Sequence, residues 1–460
     1  MVEARVADAY VLGDGLPALA AALELAEVGL SVRVGVPDRE DRPDAWTGPD
    51  DRGVPDPDGA LRDFLEHVAA PLTAGGPAAE AARPVAEPPA PVLLRGPRGE
   101  WAPQPTPAVL GIPAVPVSSS AVALLGGRAA ARAYLDRVKP VLTIGKTHAL
   151  GALVRARLGS VPLERLVEPL VRERFGVSAD EVEVAIAAPG LNETLTRTGS
   201  LSGAALAYAD RVVARETGVA PSGGWAALRR ALLERLALYG AEFADAAVPA
   251  SAPRRGGEGA AGEWLVREDG GEVGARSLVI GLEGAAGGCP SDPAGESDEL
   301  RPSQLRVRGG APVEDPGLPV GDRGVMPAVQ TVTIPGGERW SLRIERDGAG
   351  YRVEAAGPAI PAVDAGGWGR DEPASRVREA LAAADLRPRS GETAAAVRAA
   401  PYASIAQRDA AVERLGRARD ERRDTLPVGT ALHGGDLATA VADARAAAVV
   451  LRRRLTGISE

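Results

Sequence analysis

Two glycines and an alanine near the start of the chain have the spacing of a phosphate-binding turn. Gly13, Gly15 and Ala18 follow an apolar run at 9–12 and precede apolar residues at helical spacing. Glycines in such a turn permit a tight bend and a close approach of a pyrophosphate to the helix N-terminus. The order of strand, turn, helix and second strand predicts a βαβ unit of the dinucleotide-binding type.

The second strand of this unit lacks the residue that usually recognises the ribose. An acidic side chain normally ends that strand and accepts hydrogen bonds from the ribose hydroxyls, but the residue at this place is Val36. Asp38 could substitute only if the end of the strand is displaced. Asp14 also adds a negative charge to the turn, close to where a phosphate would lie. We therefore expect dinucleotide affinity to be weak or absent.

Apolar periodicity and turn residues predict the elements that position this turn. A helix over 16–28, ended by Gly29, is followed by a strand over 31–36. Residues 37–107 are rich in Pro, Gly and Asp, and we interpret them as mostly loop with a short helix near 61–68. The remaining predictions are helices over 129–174, 226–238 and 438–455, a hairpin over 264–282, and antiparallel strands over 328–334, 340–346 and 351–355.

Composition excludes several functions. The 460 residues carry a formal net charge of −9, so no global positive field favours nucleic acid as a partner. Cys289 has neither a disulfide partner nor the His and Cys neighbours of a metal site, and we predict no metal. Because no long apolar segment occurs at its start, we expect a cytoplasmic protein without a transmembrane helix. Peripheral membrane contact and the oligomeric state stay open.

Motifs spread over nearly the whole chain occur in a distinctive order. The segments are 11–30, 163–171 (LERLVEPLV), 174–182 (RFGVSADEV), 198–201 (TGSL), 221–228 (PSGGWAAL) and 431–436 (ALHGGD). In this order they resemble the protoporphyrinogen and coproporphyrinogen oxidases, which are FAD flavoproteins of the amine-oxidase type. The last two segments are similar to family segments that lie beside the adenine and the flavin.

The resemblance implies an α/β fold in which a Rossmann-like FAD/NAD(P)-binding domain is interleaved with a substrate domain of helices plus a mainly antiparallel sheet. The FAD-binding domain would comprise residues 1–100, 218–284 and 398–460. Residues 101–217 would form the helical part of the substrate domain. Residues 285–397 would form a linker and the antiparallel-sheet part.

The resemblance also implies FAD as the cofactor and a small molecule, a porphyrinogen, as the substrate. Gly13, Gly15 and Ala18 would face the pyrophosphate. Val248 would lie near the adenine, and a pair of residues, Gly435 and Asp436, would approach the phosphate or the ribityl chain of the flavin. No catalytic side chain is assigned, because the flavin accepts the hydrogen and the protein supplies binding and orientation.

Departures from the family pattern leave the function open. Besides Val36, residues 437–439 enter the last helix where the family has a glycine-rich loop, and Asp443-Ala444-Arg445 stands where Ser-Gly-Arg is usual. One interpretation is an FAD-dependent porphyrinogen oxidase. Another is a non-catalytic relative that acts as a scaffold or binds a partner. An amine or carotenoid oxidoreductase is a further alternative. His433, beside the flavin segment, is interpreted as a turn residue.

Overall fold

The computed structural model describes residues 6–36, 53–140, 148–245, 253–256, 264–268, 271–282, 298–321, 324–348, 350–365, 368–369, 371–389 and 393–457. The chain forms two compact units. The first comprises residues 1–88, 215–302 and 410–460, and the second comprises residues 89–214 and 303–409.

The strands, in chain order, are β1 (Ala7–Leu12), β2 (Val32–Val36), β3 (Val54–Pro55), β4 (Pro84–Glu87), β5 (Leu93–Arg95), β6 (Trp101–Pro103), β7 (Ala108–Val109), β8 (Ile112–Pro113), β9 (Gly218–Pro221), β10 (Glu242–Asp245), β11 (Arg254–Arg255), β12 (Trp264–Glu268), β13 (Gly271–Gly281), β14 (Gln304–Val313), β15 (Val320–Gly321), β16 (Gly324–Val325), β17 (Ala328–Thr333), β18 (Arg339–Asp347), β19 (Gly350–Ala356), β20 (Ile360–Pro361), β21 (Ala394–Ala399) and β22 (Thr425–Val428).

The α-helices are α1 (Leu16–Ala26), α2 (Ala60–Ala69), α3 (Ser119–Leu125), α4 (Gly127–Tyr134), α5 (Leu150–Arg157), α6 (Ser160–Pro162), α7 (Glu168–Phe175), α8 (Val184–Ala187), α9 (Leu191–Thr198), α10 (Leu201–Glu216), α11 (Trp225–Leu238), α12 (Ala362–Ala365), α13 (Glu372–Ala383), α14 (Ile405–Glu421) and α15 (Leu437–Leu455). A π-helical turn, Leu163–Val167, lies between α6 and α7. Among the described helices, none combines the length and apolar composition needed to cross a bilayer.

The first unit is built on a largely parallel sheet. Its strand order is β10-β2-β1-β13-β12-β11, and β22 also pairs with β13. Strands β10, β2, β1, β13 and β22 run parallel, whereas β12 pairs antiparallel with both of its neighbours, β13 and β11. The carboxyl ends of the parallel strands therefore share one edge, which is where open α/β sheets bind ligands.

One face of this sheet is covered by helices rich in alanine and leucine. Helix α1 packs against α15, and both bury alanines along the contact, among them Ala22 and Ala444, which are 0% exposed. Small side chains let two helices approach closely and bury apolar surface along their length. The Arg445 Nε of α15 also donates to Glu24 of α1 over 2.8 Å. Apolar packing and this charged hydrogen bond thus both hold α1 against α15.

The opposite face carries a polar network. The Glu268 carboxylate accepts hydrogen bonds from the Tyr10 hydroxyl over 3.0 Å and from Arg33 Nε over 2.6 Å. Arg33 also pairs with Glu242 of β10. Burial, together with the charge of Glu268 and its hydrogen bond, raises the pKa of the Tyr10 phenol. This network connects β12 with β1, β2 and β10.

The second unit contains a mainly antiparallel sheet and a group of helices. The sheet order is β20-β14-β19-β18-β17-β5-β6, and β21 pairs with β14. Helix α7 packs on β17 and β18. Arg306 of β14 is buried and donates to the carbonyls of Glu173 and Arg174, each over 3.1 Å, at the end of that helix. Burial lowers the pKa of this guanidinium. A buried arginine therefore satisfies carbonyls at the helix C-terminus.

The predicted fold class is confirmed: a Rossmann-like unit is interleaved along the chain with a unit of helices and mainly antiparallel sheet. The short helix predicted near 61–68 is observed as α2, but the interpretation of the rest of residues 37–107 as loop missed several short strands in their described part. Residues 53–107 contain β3, β4, β5 and β6 as well as α2. Strands β3 and β4 pair with β9, which lies far along the chain. Pairing with a distant segment leaves no local sequence pattern.

Candidate dinucleotide-binding site

The glycine turn lies at the carboxyl edge of the parallel sheet. Strand β1 ends at Leu12, and Gly13 has φ +100°, a conformation that favours glycine. Gly15 is the N-cap of α1, with φ −60° and ψ 153°, and no described side chain caps this terminus. The first N–H groups of a helix lack intrahelical partners, so they can bind an anion. The structure places the predicted turn where a pyrophosphate would require it.

Small residues around this turn bring the helix close to the sheet. A Cβ added to Gly281 of β13 would lie 3.0 Å from the Leu12 carbonyl oxygen and 3.4 Å from Ala18 Cβ. A Cβ added to Gly13 would lie 3.7 Å from the Gly281 Cα. Ala18 is 0% exposed. The third small residue of the predicted motif therefore packs α1 against the neighbouring strand, which is its role in dinucleotide-binding units.

The charge of Asp14 is balanced by a residue that the motif did not indicate. Arg229 of α11 donates from Nε to Asp14 Oδ2 over 3.0 Å, and its Nη2 donates to the same oxygen. The two side chains are 17% and 19% exposed. The turn therefore carries an ion pair instead of an uncompensated carboxylate. Sequence reasoning missed Arg229, because nothing in the spacing of α11 marks it as a partner of the turn.

The end of β2 has an acidic neighbour in β10. Val36 is the last residue of β2, and its Cα partner in β10 is Asp245, the last residue of that strand. The two residues thus lie side by side at the edge that also holds the turn. Asp38 and Val248, two further predicted site residues, lie outside the described residues. Asp245 was missed because its place beside Val36 follows from the strand order.

The C-terminal segment leaves the same edge of the sheet. Gly429 follows β22 with φ +137°, and a Cβ there would collide with the Leu282 carbonyl oxygen. Gly435 has φ +81°, and the Asp436 carboxylate accepts a hydrogen bond over 3.0 Å from the Thr439 N–H in the first turn of α15. Asp436 is therefore a helix cap. As the sequence indicates, α15 begins directly after it.

A second charged cluster holds α15 to α14. Arg419 donates to both carboxylate oxygens of Asp443, and His433 Nε2 lies 3.2 Å from Asp443 Oδ2. Burial alone would raise the pKa of Asp443, but the hydrogen bonds from Arg419 and His433 outweigh it and hold that pKa well below its ordinary value. His433 is thus part of an ion-pair cluster, which its position before two glycines did not indicate.

Solved structures share this architecture over nearly the full length of the chain. A candidate protoporphyrinogen oxidase from Exiguobacterium sp. 255-15 is 15% identical, with 97% of this chain and 98% of that chain covered and a TM-score of 0.62. An oxidoreductase from Methanosarcina mazei is 14% identical, with coverages of 96% and 99% and a TM-score of 0.54. The chain has the fold of these structures, in which a Rossmann-like unit is combined with a unit of helices and mainly antiparallel sheet. No protein-family model and no curated protein matches it.

A shared fold does not by itself fix the reaction. A reduced UDP-galactopyranose mutase is also similar, at 12% identity, with coverages of 99% and 96% and a TM-score of 0.53. At such identities the shared fold says nothing about substrate. Within the fold, Gly13 and Gly15 lie in the turn between β1 and α1, and Ala18 packs the helix against β13. The side chain of Val36 is a hydrocarbon and offers no acceptor for a ribose hydroxyl.

Proposed function

We propose that the chain is an FAD-dependent oxidoreductase that acts on a small molecule. The observation that carries this proposal is the turn between β1 and α1, where Gly13 has φ +100° and Gly281 packs against Ala18. This packing leaves the backbone of the turn accessible to a pyrophosphate at the helix N-terminus. The flavoprotein fold of the whole chain supports FAD as the dinucleotide.

In this proposal the chain binds and orients the cofactor through backbone groups. The first N–H groups of α1 would hold the pyrophosphate. Val248 would lie near the adenine, and Gly435 with Asp436 would approach the phosphate or the ribityl chain. FAD, when bound, supplies a two-electron acceptor for the oxidation of a C–H bond. Two described carboxylates of this region, Asp14 and Asp443, are paired with arginines, so we assign neither of them to proton transfer.

We propose a porphyrinogen as the substrate. The motif order from 163 to 201 and the likeness to a candidate protoporphyrinogen oxidase support this class over an amine or a carotenoid. Protein reconstituted with FAD should be mixed anaerobically with protoporphyrinogen, coproporphyrinogen or a primary amine. We expect the flavin absorbance to bleach with a porphyrinogen only, and porphyrin fluorescence to appear when the FAD-loaded protein is in at least about threefold excess, because the oxidation removes six electrons and each flavin accepts two. Bleaching by the amine alone would overturn the substrate class and leave the flavin assignment intact.

A second candidate function is a non-catalytic scaffold or partner-binding protein with the same fold. Val36 offers no hydrogen bond to a ribose. Helix α15 begins at Leu437, directly after Asp436, at the place where the family that the chain resembles has a glycine-rich loop. Such a protein would not bind FAD saturably. Titration of the cofactor-free protein with FAD up to about 1 mM separates the two candidates, because only the oxidoreductase gives a saturable change in the flavin spectrum.

A further inference from the structure

The ion pair between Asp14 and Arg229 occupies a particular place in the glycine turn. Asp14 stands between the two glycines of the turn, one residue before the N-cap of α1. Arg229 approaches it from α11, and both of its described hydrogen bonds end on one oxygen, Asp14 Oδ2. The guanidinium is therefore held by Asp14 close to the N-terminus of α1.

Another arginine on the same helix has a different pattern of contacts. Arg235 of α11 donates to the carbonyls of Val68 and Ala70, over 3.2 and 2.8 Å, and lies 3.6 Å from Glu27. It connects α11 with α2 through two backbone oxygens and with the end of α1 through the Glu27 carboxylate. Among the described residues, Arg229 Nη1 has no hydrogen-bond partner. Arg229 thus has a donor still available beside the turn, whereas Arg235 is used in helix packing.

We propose that Arg229 is a phosphate-binding residue of the dinucleotide site and that Asp14 restrains it. This inference rests on the proposed function. An arginine beside a helix N-terminus binds phosphate well, because its planar donors match phosphate oxygens. The Asp14 carboxylate competes for the same donors and places a negative charge beside the pyrophosphate, which lowers affinity. Asp14 therefore acts as an internal counter-ion of Arg229, which a phosphate of the cofactor must displace.

Four proteins test the competition: the wild type, Asp14→Asn, Arg229→Gln and the double variant. Each is titrated calorimetrically with FAD, ADP and adenosine, after its thermal unfolding has been measured. We expect Asp14→Asn to bind FAD and ADP about tenfold more tightly, because Arg229 is released, and Arg229→Gln to bind them about tenfold more weakly. The double variant should bind FAD and ADP less than tenfold more tightly than Arg229→Gln does. Adenosine has no phosphate, so its binding should not change.

A matched control removes a carboxylate near the start of β1, at the end of the strand away from the glycine turn. Asp8 lies near the start of β1 and pairs with Arg276 over 2.8 Å. Asp8→Asn should leave the affinity for FAD and ADP unchanged. An equal gain in Asp8→Asn would show a general charge effect and would overturn the role of Arg229.

The outcomes separate this inference from the proposed function. If the wild type binds FAD but Asp14→Asn and Arg229→Gln have wild-type affinity, the inference is wrong and the flavin assignment stands. If Asp14→Asn increases the affinity for FAD by the same factor in the Arg229→Gln background as in the wild type, Arg229 is a structural partner only, and the inference is wrong. If no variant binds FAD or ADP at millimolar concentration, the inference and the proposed function both fail.

Discussion

Arg419 of α14 donates to the two carboxylate oxygens of Asp443 of α15 over 2.9 and 2.6 Å. The two side chains are 19% and 25% exposed. Arg419 also donates to the Pro427 carbonyl over 2.9 Å, at the end of β22. The arginine of this bidentate ion pair therefore fixes the end of β22, from which the chain continues to Gly435 and Asp436. Bidentate arginine pairs are among the stronger charged contacts in proteins.

Asp443→Asn should lower the free energy of unfolding by about 2 kcal/mol at neutral pH, because a partly buried guanidinium loses its counter-charge. Urea denaturation measures this change. The matched control is Glu413→Gln, which removes an exposed i,i+4 pair with Arg417 and should cost less than about 0.5 kcal/mol. Equal losses in the two variants would contradict a special role for Asp443.

The same pair predicts a pH dependence of stability. The folded-state pKa of Asp443 is held below its ordinary value of 3.8, so the pair stabilises the protein above that pH and the contribution is lost as the pH falls further. The wild type should therefore lose stability more steeply on acidification than Asp443→Asn. Urea denaturation of the two proteins between about pH 6 and pH 3 measures the two slopes. Parallel curves would show that Asp443 does not contribute.

Tyr10 predicts the opposite dependence at high pH. Burial and Glu268 raise its folded-state pKa above the ordinary value of 10.0, so stability is complete below that pH and falls as the phenol ionises in the unfolded chain. Tyr10→Phe should cost about 1 kcal/mol at neutral pH, for one lost hydrogen bond. Above pH 10 its stability should decline less than that of the wild type. Identical alkaline slopes in chemical denaturation would contradict the network around Glu268.

Ala18 tests the close packing of α1 on β13. Ala18→Val adds two methyl groups beside Gly281 and should lower the free energy of unfolding by about 1–3 kcal/mol through overpacking. Gly416→Ala in α14 is the control, because nothing lies within 4 Å of its added Cβ. It should stabilise the protein by about 0.5–1 kcal/mol. A neutral Ala18→Val variant would mean that the helix and the strand are further apart than described.

Val36→Glu tests whether the missing ribose acceptor limits FAD binding. If β2 ends where the structure places it, the glutamate restores an acceptor worth about 1.5–3 kcal/mol, or roughly ten- to a hundredfold in affinity. Fluorescence titration with FAD measures the gain. Gly15→Val in the same background should abolish it. An unchanged affinity in folded Val36→Glu protein would shift the cause to the segment after Asp436.

The regular elements of the first unit could be predicted because their signals are local. The helix expected over 16–28 is observed as Leu16–Ala26, and the last helix, expected over 438–455, as Leu437–Leu455. Apolar spacing and the glycine after the helix are sufficient for such predictions. Strands β3 and β4 could not be predicted, because they pair with β9, which lies far along the chain.

The glycine turn could be predicted from its motif, whereas the charged residues around it could not. Arg229 meets Asp14 because α11 packs beside α1, and Asp245 meets Val36 because β10 is placed beside β2 by the sheet order. Neither contact has a signature within a few residues. The roles expected for Gly435 and Asp436 toward a flavin stay predictions, since the observed contact of Asp436 is with its own helix.

Titration of the cofactor-free protein with FAD tests the central claim most directly. We predict saturable binding with a dissociation constant weaker than about 1 μM, with a shift in the flavin spectrum, and loss of that binding in Gly15→Val. Gly15 has φ −60° and ψ 153°, which valine also adopts, so the substitution does not strain the backbone of the turn. Absence of saturable binding in the wild type, or equal binding by folded Gly15→Val, would contradict the account.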